Sequence, residues 1–278
     1  MDMLWVRCAI VYPMNFHDAV YEVLMVCDPD AKCAAATKLF DGWQRGQWRL
    51  DEASAPPQPI PVPGRPEKPR LVSPLEVKHR GLGTPQGRAA LIHALAHIEF
   101  NAINLALDAA YRFRNLPADF YGDWLKVAAE EGYHYTLLRD HLRTLGHEYG
   151  DFTAHNGLWD MATKTAHDPL VRMGLVPRLL EARGLDVTPG IRAKLEHAGD
   201  QAAAAILDVI LRDEIGHVAI GNRWFDYLCG LHGLVPAATF AKLLTEYDAS
   251  PPRPPLNLDA RRAAGFGEDE IAWLEGRA

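Results

Sequence analysis

Three long apolar helical seams in this chain each carry one glutamate near the middle, and that placement limits what the chain can fold into. We step by alternate fours and threes, the spacing that lines one face of a bundle helix. The first seam is then Ile92, Leu95, Glu99, Ala102, Ala106, Ala109 and Phe113. The second is Trp124, Ala128, Glu131, Tyr135, Leu138, Leu142 and Leu145. The third is Ala203, Leu207, Ile210, Glu214, His217, Gly221, Trp224 and Leu228. A weaker seam passes through Leu170, Gly174, Pro177, Glu181 and Gly184. A carboxylate carried into such a core loses much of its hydration free energy unless it is paired or stays protonated. No lysine or arginine stands on the three strong seams between these positions. Four converging glutamates therefore call for another source of positive charge, and metal cations are the simplest one.

Two of the glutamates are followed three residues later by a histidine: Glu131 by His134, and Glu214 by His217. Residues i and i+3 share a helical face, so both side chains can reach one ion. Glu-x-x-His alone is a weak signal, and a third match, Glu76 with His79, falls in a proline-rich stretch where no helix is expected. Position distinguishes the other two. Glu99 precedes Glu131, and Glu181 precedes Glu214, by nearly the same interval. The chain thus repeats one unit, Glu and then Glu-x-x-His, on two successive helix hairpins. This is the ligand set of di-iron and di-manganese carboxylate bundles. The candidate metal ligands are Glu99, Glu131, His134, Glu181, Glu214 and His217. Glu130 would replace Glu131 if the helix were rotated by one position, but it leaves the seam. His93 and His97 are expected to lie behind the ligands or on the surface. Asp213 could orient a histidine but is expected as an exposed neighbour of Glu214, and Tyr135 and Trp124 are expected as plain core.

The fold expected around these residues is all-α. Residues 1–50 are expected as a helical N-terminal segment, with a helix from Phe16 to Val26 and a second one capped by Asp30. Residues 51–83 carry Pro56, Pro57, Pro59, Pro61, Pro63, Pro66, Pro69 and Pro74, which forbid a helix or a central strand. This stretch is either a loose linker or an ordered strap, with Ile60, Val62, Leu71, Val72 and Leu75 favouring the strap. Residues 84–230 are expected as a four-helix bundle with one long crossover. Its helices are placed near 85–114, 118–145, 157–183 and 189–229. Thr84-Pro85 and Thr188-Pro189 are taken as helix starts, Gly146 as a helix end, and Pro169 and Pro177 as breaks in the third helix. Residues 231–278 are expected as a tail with short helices.

The 278 residues carry a net charge of -7, which argues against a general nucleic-acid or anionic-membrane surface. No unbroken apolar run approaches the ~18 residues of a membrane span, and Met1–Ile10 makes a poor secretory signal. The four cysteines (Cys8, Cys27, Cys33 and Cys229) form no close pair and are expected as free thiols in a cytoplasmic protein.

Four stretches, GLGTPQGRAALIHALAHIEFNAINLALDA (81–109), AAEEGYHYTLLRDHLRTLG (128–146), LVPRLLEARGLDVTPG (175–190) and LRDEIGHVAIGNRWF (211–225), together with NLDARRAAGF (257–266), carry a family resemblance. On these the chain resembles the ferritin-like superfamily, and more closely the bacterial ferritin-like domain-of-unknown-function family 455. The resemblance implies a ferritin-like four-helix bundle and a dinuclear site, usually of iron, and supplies no substrate.

Carboxylate-rich donors with one imidazole per ion suit two Fe or Mn ions. In this arrangement Glu131 and Glu214 bridge, while Glu99 and Glu181 are terminal. The expected function is an oxidoreductase acting on a small organic substrate with O2 or peroxide. An external electron donor would serve it, since no four-cysteine site is present. One alternative, implied by a distant likeness to the tRNA hydroxylase branch of the ferritin-like superfamily, is a tRNA-modifying hydroxylase, for which Arg172, Arg178, Arg183, Arg261 and Arg262 could form a local basic patch. Another is a non-catalytic metal-binding or peroxide-detoxifying ferritin relative. A monomer or homodimer is expected.

Overall fold

The computed structural model describes residues 15–50, 55–78 and 80–276. Met1–Ile10, Cys8 and His79 lie outside these. The described chain is 68% helix and contains no β-sheet, only isolated bridges such as Leu71 to Ala154.

The N-terminal helices are α1 (Phe16–Leu24) and α2 (Pro29–Gln44). Asp28, not Asp30, caps α2: its side chain accepts from Ala31 N, with Pro29 in the first turn. The cap is the residue before the proline because Pro favours the first helical position. Next come α3 (Pro85–Arg112) and α4 (Ala118–Thr144). Thr84 caps α3 through Gly87 N, and Gly146 ends the α4 hairpin arm at φ 77°. By length and composition α3 could cross a membrane, but two-thirds of that window (67%) is buried inside the fold.

The third arm is broken where its prolines stand. It consists of α5 (Gly157–Lys164), α6 (Pro169–Leu175), a π turn over Val176–Glu181, and α7 (Ala182–His197). The long last helix, α8, runs from Gln201 to Leu231 and is capped by Asp200. The start expected at Thr188-Pro189 is therefore wrong, since Pro189 sits inside α7. A proline there frees the carbonyl four residues earlier, that of Leu185. Asn257 Nδ2 of the tail donates to that carbonyl at 3.2 Å. The break at Pro177 is absorbed by the π turn, with the Pro177 ring against Gly221 of α8. A Cβ at Gly221 would lie 2.3 Å from the Pro177 Cβ.

The proline-rich residues lie along the helices as an ordered strap. Trp159 Nε1 donates to Pro61 O at 3.1 Å, Gln58 N donates to the Tyr111 hydroxyl at 2.9 Å, and Val72 N donates to Ala154 O at 2.8 Å. Ile60 is buried. The central clamp is Lys32, fully buried. Its Nζ donates to Leu24 O at 2.9 Å, Gly64 O at 2.6 Å and Asn104 Oδ1. One ammonium thereby joins α1, the strap and α3. Gly64 is required there, because its Cβ would lie 2.3 Å from the Met25 carbonyl carbon.

The tail forms α9 (Pro236–Glu246), α10 (Leu258–Ala263) and α11 (Glu268–Leu274). It is held by Arg178 and Arg261, both expected on the surface. Arg178 is paired with Glu270, donates to Asn222 Oδ1 at 2.7 Å, and stacks on Phe225, Phe240 and Phe266. Arg261 is fully buried and meets Asp186 at 2.6 Å. Arg172 is buried against Asp108 at 2.7 Å. These three cannot contribute to a basic surface patch, whereas Arg183 and Arg262 are exposed. Fully desolvated guanidinium ions need a carboxylate partner, and each has one.

Residues 147–155, between α4 and α5, are fastened to α3 by two histidines. His93 Nε2 accepts from Gly150 N at 2.9 Å. The His97 ring bonds the Tyr149 hydroxyl at 2.8 Å and His155 O at 3.0 Å. Burial, and secondarily the neighbouring His97, push His93 down to about 4, against opposition from Asp151.

Three outcomes are expected. Lys32→Met should lower the unfolding free energy by about 3 kcal/mol or more in urea titration, because it strands three buried acceptors. An unchanged midpoint would contradict the clamp. Gly221→Ala should cost about 1–3 kcal/mol by forcing Pro177 away. Gly216→Ala on the same helix meets nothing within 4 Å and should be neutral or slightly stabilising. The folded value of His93 lies below that of the free side chain, so the unfolded chain takes up the proton first. Stability should therefore fall as pH drops from about 6.5 to 4, by up to about 3 kcal/mol. His93→Gln should flatten that slope in denaturation curves measured across the range.

Candidate metal centre

Five of the six residues singled out in the sequence converge on one cluster, and Glu181 lies beside it. α3 supplies Glu99, α4 supplies Glu131 and His134, the end of the π turn supplies Glu181, and α8 supplies Glu214 and His217. Glu131 sits between the two imidazoles. Its Oε2 is 3.4 Å from His134 Nδ1 and its Oε1 is 3.1 Å from His217 Nδ1. All three side chains are completely buried. His134 Nδ1 also lies 3.2 Å from Glu99 Oε2, and His217 Nδ1 lies 3.8 Å from Glu214 Oε2. Glu99, Glu131, His134 and Glu214 each bring one donor atom within 4.8 Å of the others. Glu181 stands apart from that foursome, in the field of Glu214, Glu131 and His217. Its Oε2 is buried with no hydrogen-bond partner.

Two residues outside the expected set complete the arrangement. His134 Nε2 lies 3.2 Å from Asp213 Oδ2 of α8, and His217 Nε2 lies 2.9 Å from Glu130 Oε2 of α4. Each imidazole is braced by the acidic residue that precedes the other helix's Glu-x-x-His pair. Asp213 is thus a partner of His134 and not an exposed neighbour, and Glu130 braces a histidine and does not replace Glu131. The signal was an acidic residue at the same place before both pairs. Such braces orient a ligating ring and fix its tautomer. His93 and His97 face the 147–155 segment and take no part. Tyr135 is buried against Phe100 and Tyr149. Trp124 is buried with an unpartnered indole N–H.

Apart from the hydrogen bond between His134 Nδ1 and Glu99 Oε2 at 3.2 Å, the donors are close but do not satisfy one another. Both Glu131 oxygens, Glu214 Oε2 and His217 Nδ1 make no aligned hydrogen bond, despite their short separations. With only protons to balance them, the groups are strongly perturbed. Burial, then the Glu131 charge, raises Glu99 and Glu214 above the ordinary carboxyl range. Burial and Glu214 push Glu181 up to about 8. Burial would raise Glu131 too, but the two imidazoles beside it hold it below the ordinary range. Against the burial effect, Glu131 and Glu99 lift His134 to about 11, and Glu131 and Glu130 lift His217 well above its usual value. The donors of Glu99, Glu131, His134 and Glu214 lie close enough together to hold a metal ion, with the His134 ring braced from behind by Asp213.

Residues 25–272 match the family described as "Protein of unknown function (DUF455)". A protein of Haemophilus influenzae, described as uncharacterized, is 47% identical over 270 residues, which is 94% of this chain and 93% of that protein. No solved structure matches the chain. With the family match covering most of its length and that relative covering it almost end to end, the chain belongs to the DUF455 family.

Proposed function

We propose that this protein is a ferritin-like dinuclear metal protein. In this reading Glu99, Glu131, His134, Glu181, Glu214 and His217 hold two iron or manganese ions, and the protein is an oxidoreductase acting on a small organic substrate with O2 or peroxide. One observation carries it: two braced, buried imidazoles aim Nδ1 at opposite oxygens of a single buried carboxylate that has no hydrogen-bond donor of its own. A helical core has no structural reason to bury Glu131, His134 and His217 against one another with Glu99 and Glu214 beside them. When bound, the two ions would supply electrons to O2 or peroxide and accept charge that builds up on oxygen.

The chain's own residues have separable tasks. Glu131 and Glu214 lie at the centre and are the bridging candidates, with Glu99 and Glu181 terminal. Asp213 and Glu130 hold the Nε2 hydrogens of His134 and His217, leaving each Nδ1 free to ligate. Both are partly exposed, with side chains 17% and 31% accessible, so they connect the buried rings to solvent protons. The apolar seams above and below exclude water from the cluster. The bridging and terminal roles and the oxidising chemistry rest on this donor set and on the likeness in the stretches quoted from the sequence.

The deciding measurement is metal content per chain on protein purified without oxygen, beside the Glu131→Ala, Glu214→Ala double variant. About two Fe or Mn per chain, lost in the variant, is the expected result. Metal removal should then lower the melting midpoint by roughly 5–10 °C. Wild type without metal after growth in iron and manganese, and with a midpoint unchanged by chelator, would overturn the reading.

A further inference from the structure

The face of α3 turned away from the metal cluster carries a second site. A cavity of about 340 Å³ lies between that face, the strap and residues 152–158. Small-molecule sites begin at about this size. The α3 positions lining it run from Gly87 to Asn101, roughly 20 Å along the axis at the helical rise, so the space is long and narrow. Its floor is apolar, with Leu91, Ala94, Ile98 and Leu158. Ile98 is 45% exposed, an unusual cost for a large aliphatic residue on a well-packed helix. Lys78 and Arg80 stand on the strap side, and no carboxylate is among the described lining residues. Neither cation has an ion-pair partner among the described residues; Arg80 is spread over the Phe152 ring at 5.1 Å. His97 and Asn101 give the site a polar wall.

Narrow apolar space beside two cations and no anion selects for a linear aliphatic chain with an anionic head. A compact aromatic ring would leave the length unfilled, and a bare anion would leave the floor wet. We infer that this cavity binds an aliphatic carboxylate of medium chain length, its chain over Ala94 and Ile98 and its carboxylate at Lys78 and Arg80. The site is independent of the metal cluster, because α3 presents Glu99 on the opposite side of the helix.

The test titrates the full chain with decanoate by calorimetry, beside decanol and inorganic phosphate. Decanoate should saturate at one site, with decanol at least roughly tenfold weaker and phosphate not binding, a loss corresponding to one charge-assisted contact. Lys78→Glu with Arg80→Glu should weaken decanoate by about tenfold or more and leave metal content unchanged. Ala94→Phe should fill the floor and abolish binding; its melting curve reports whether it folds, and the exposed charge variant decides the matter if it does not. Equal affinity for decanol, or decanoate binding unaffected by the charge reversal, would overturn the assignment. So would the absence of saturable binding at millimolar decanoate.

Discussion

The position of the Glu131 carboxylate between two imidazoles is the constraint on which the rest of the bundle depends. It places a charge where packing alone would place leucine, so the surrounding helices must bring compensating groups to it. His217 of α8 and His134 of α4 are those groups, whereas Glu214, Glu99 and Glu181 add carboxylates that burial and the Glu131 charge push towards protonation. A straight α-helix through Pro177 would lose a backbone hydrogen bond at that proline. The π turn takes up the break in the same turn that ends on Glu181. Gly221 supplies the room for this, because a side chain there would collide with the proline ring.

The parts outside the bundle are attached in a related way, through buried cations surrounded by acceptors. Lys32 gathers α1, the strap and α3. Arg172 fastens α6 to Asp108 of α3, and Arg178 and Arg261 fasten the tail to α8 and α7. Short helices such as α10 and α11 bury too little apolar surface to dock firmly by that means. A desolvated guanidinium with directed hydrogen bonds gives them one allowed position. Such pairs contribute modestly to net stability, but breaking one side of them is costly.

Much of this was legible in the sequence for a simple physical reason. Seam arithmetic works where a helix is long and uninterrupted, and α3, α4 and α8 satisfy that, so Glu99, Glu131, His134, Glu214 and His217 could be placed together by counting. The reading failed where a residue's meaning depends on a distant partner. Thr188-Pro189 has the local chemistry of a helix start, and only Asn257, far along the chain, makes a mid-helix proline tolerable. Arg172, Arg178 and Arg261 look like surface residues until Asp108, Glu270 and Asp186 are brought to them. Asp213 and Glu130 were visible as a repeated acidic position. Their role lies across the helix pair, and a count along one helix cannot reach it. The strap resolved in favour of order because its carbonyls found Lys32 and Trp159.

The exchange of braces between α4 and α8 has a consequence for the alignment of those helices. Each helix carries an imidazole and, one residue before its Glu-x-x-His, the acid that steadies the imidazole opposite. Sliding one helix past the other by a single turn would strip both rings of their acids at once. A lone brace would tolerate such a slip at one end. The crossed pair makes it a double fault, and so acts as a gauge that admits only one longitudinal setting of the two helices. Any relative keeping both acids would keep that setting, even where the apolar residues around it had been exchanged.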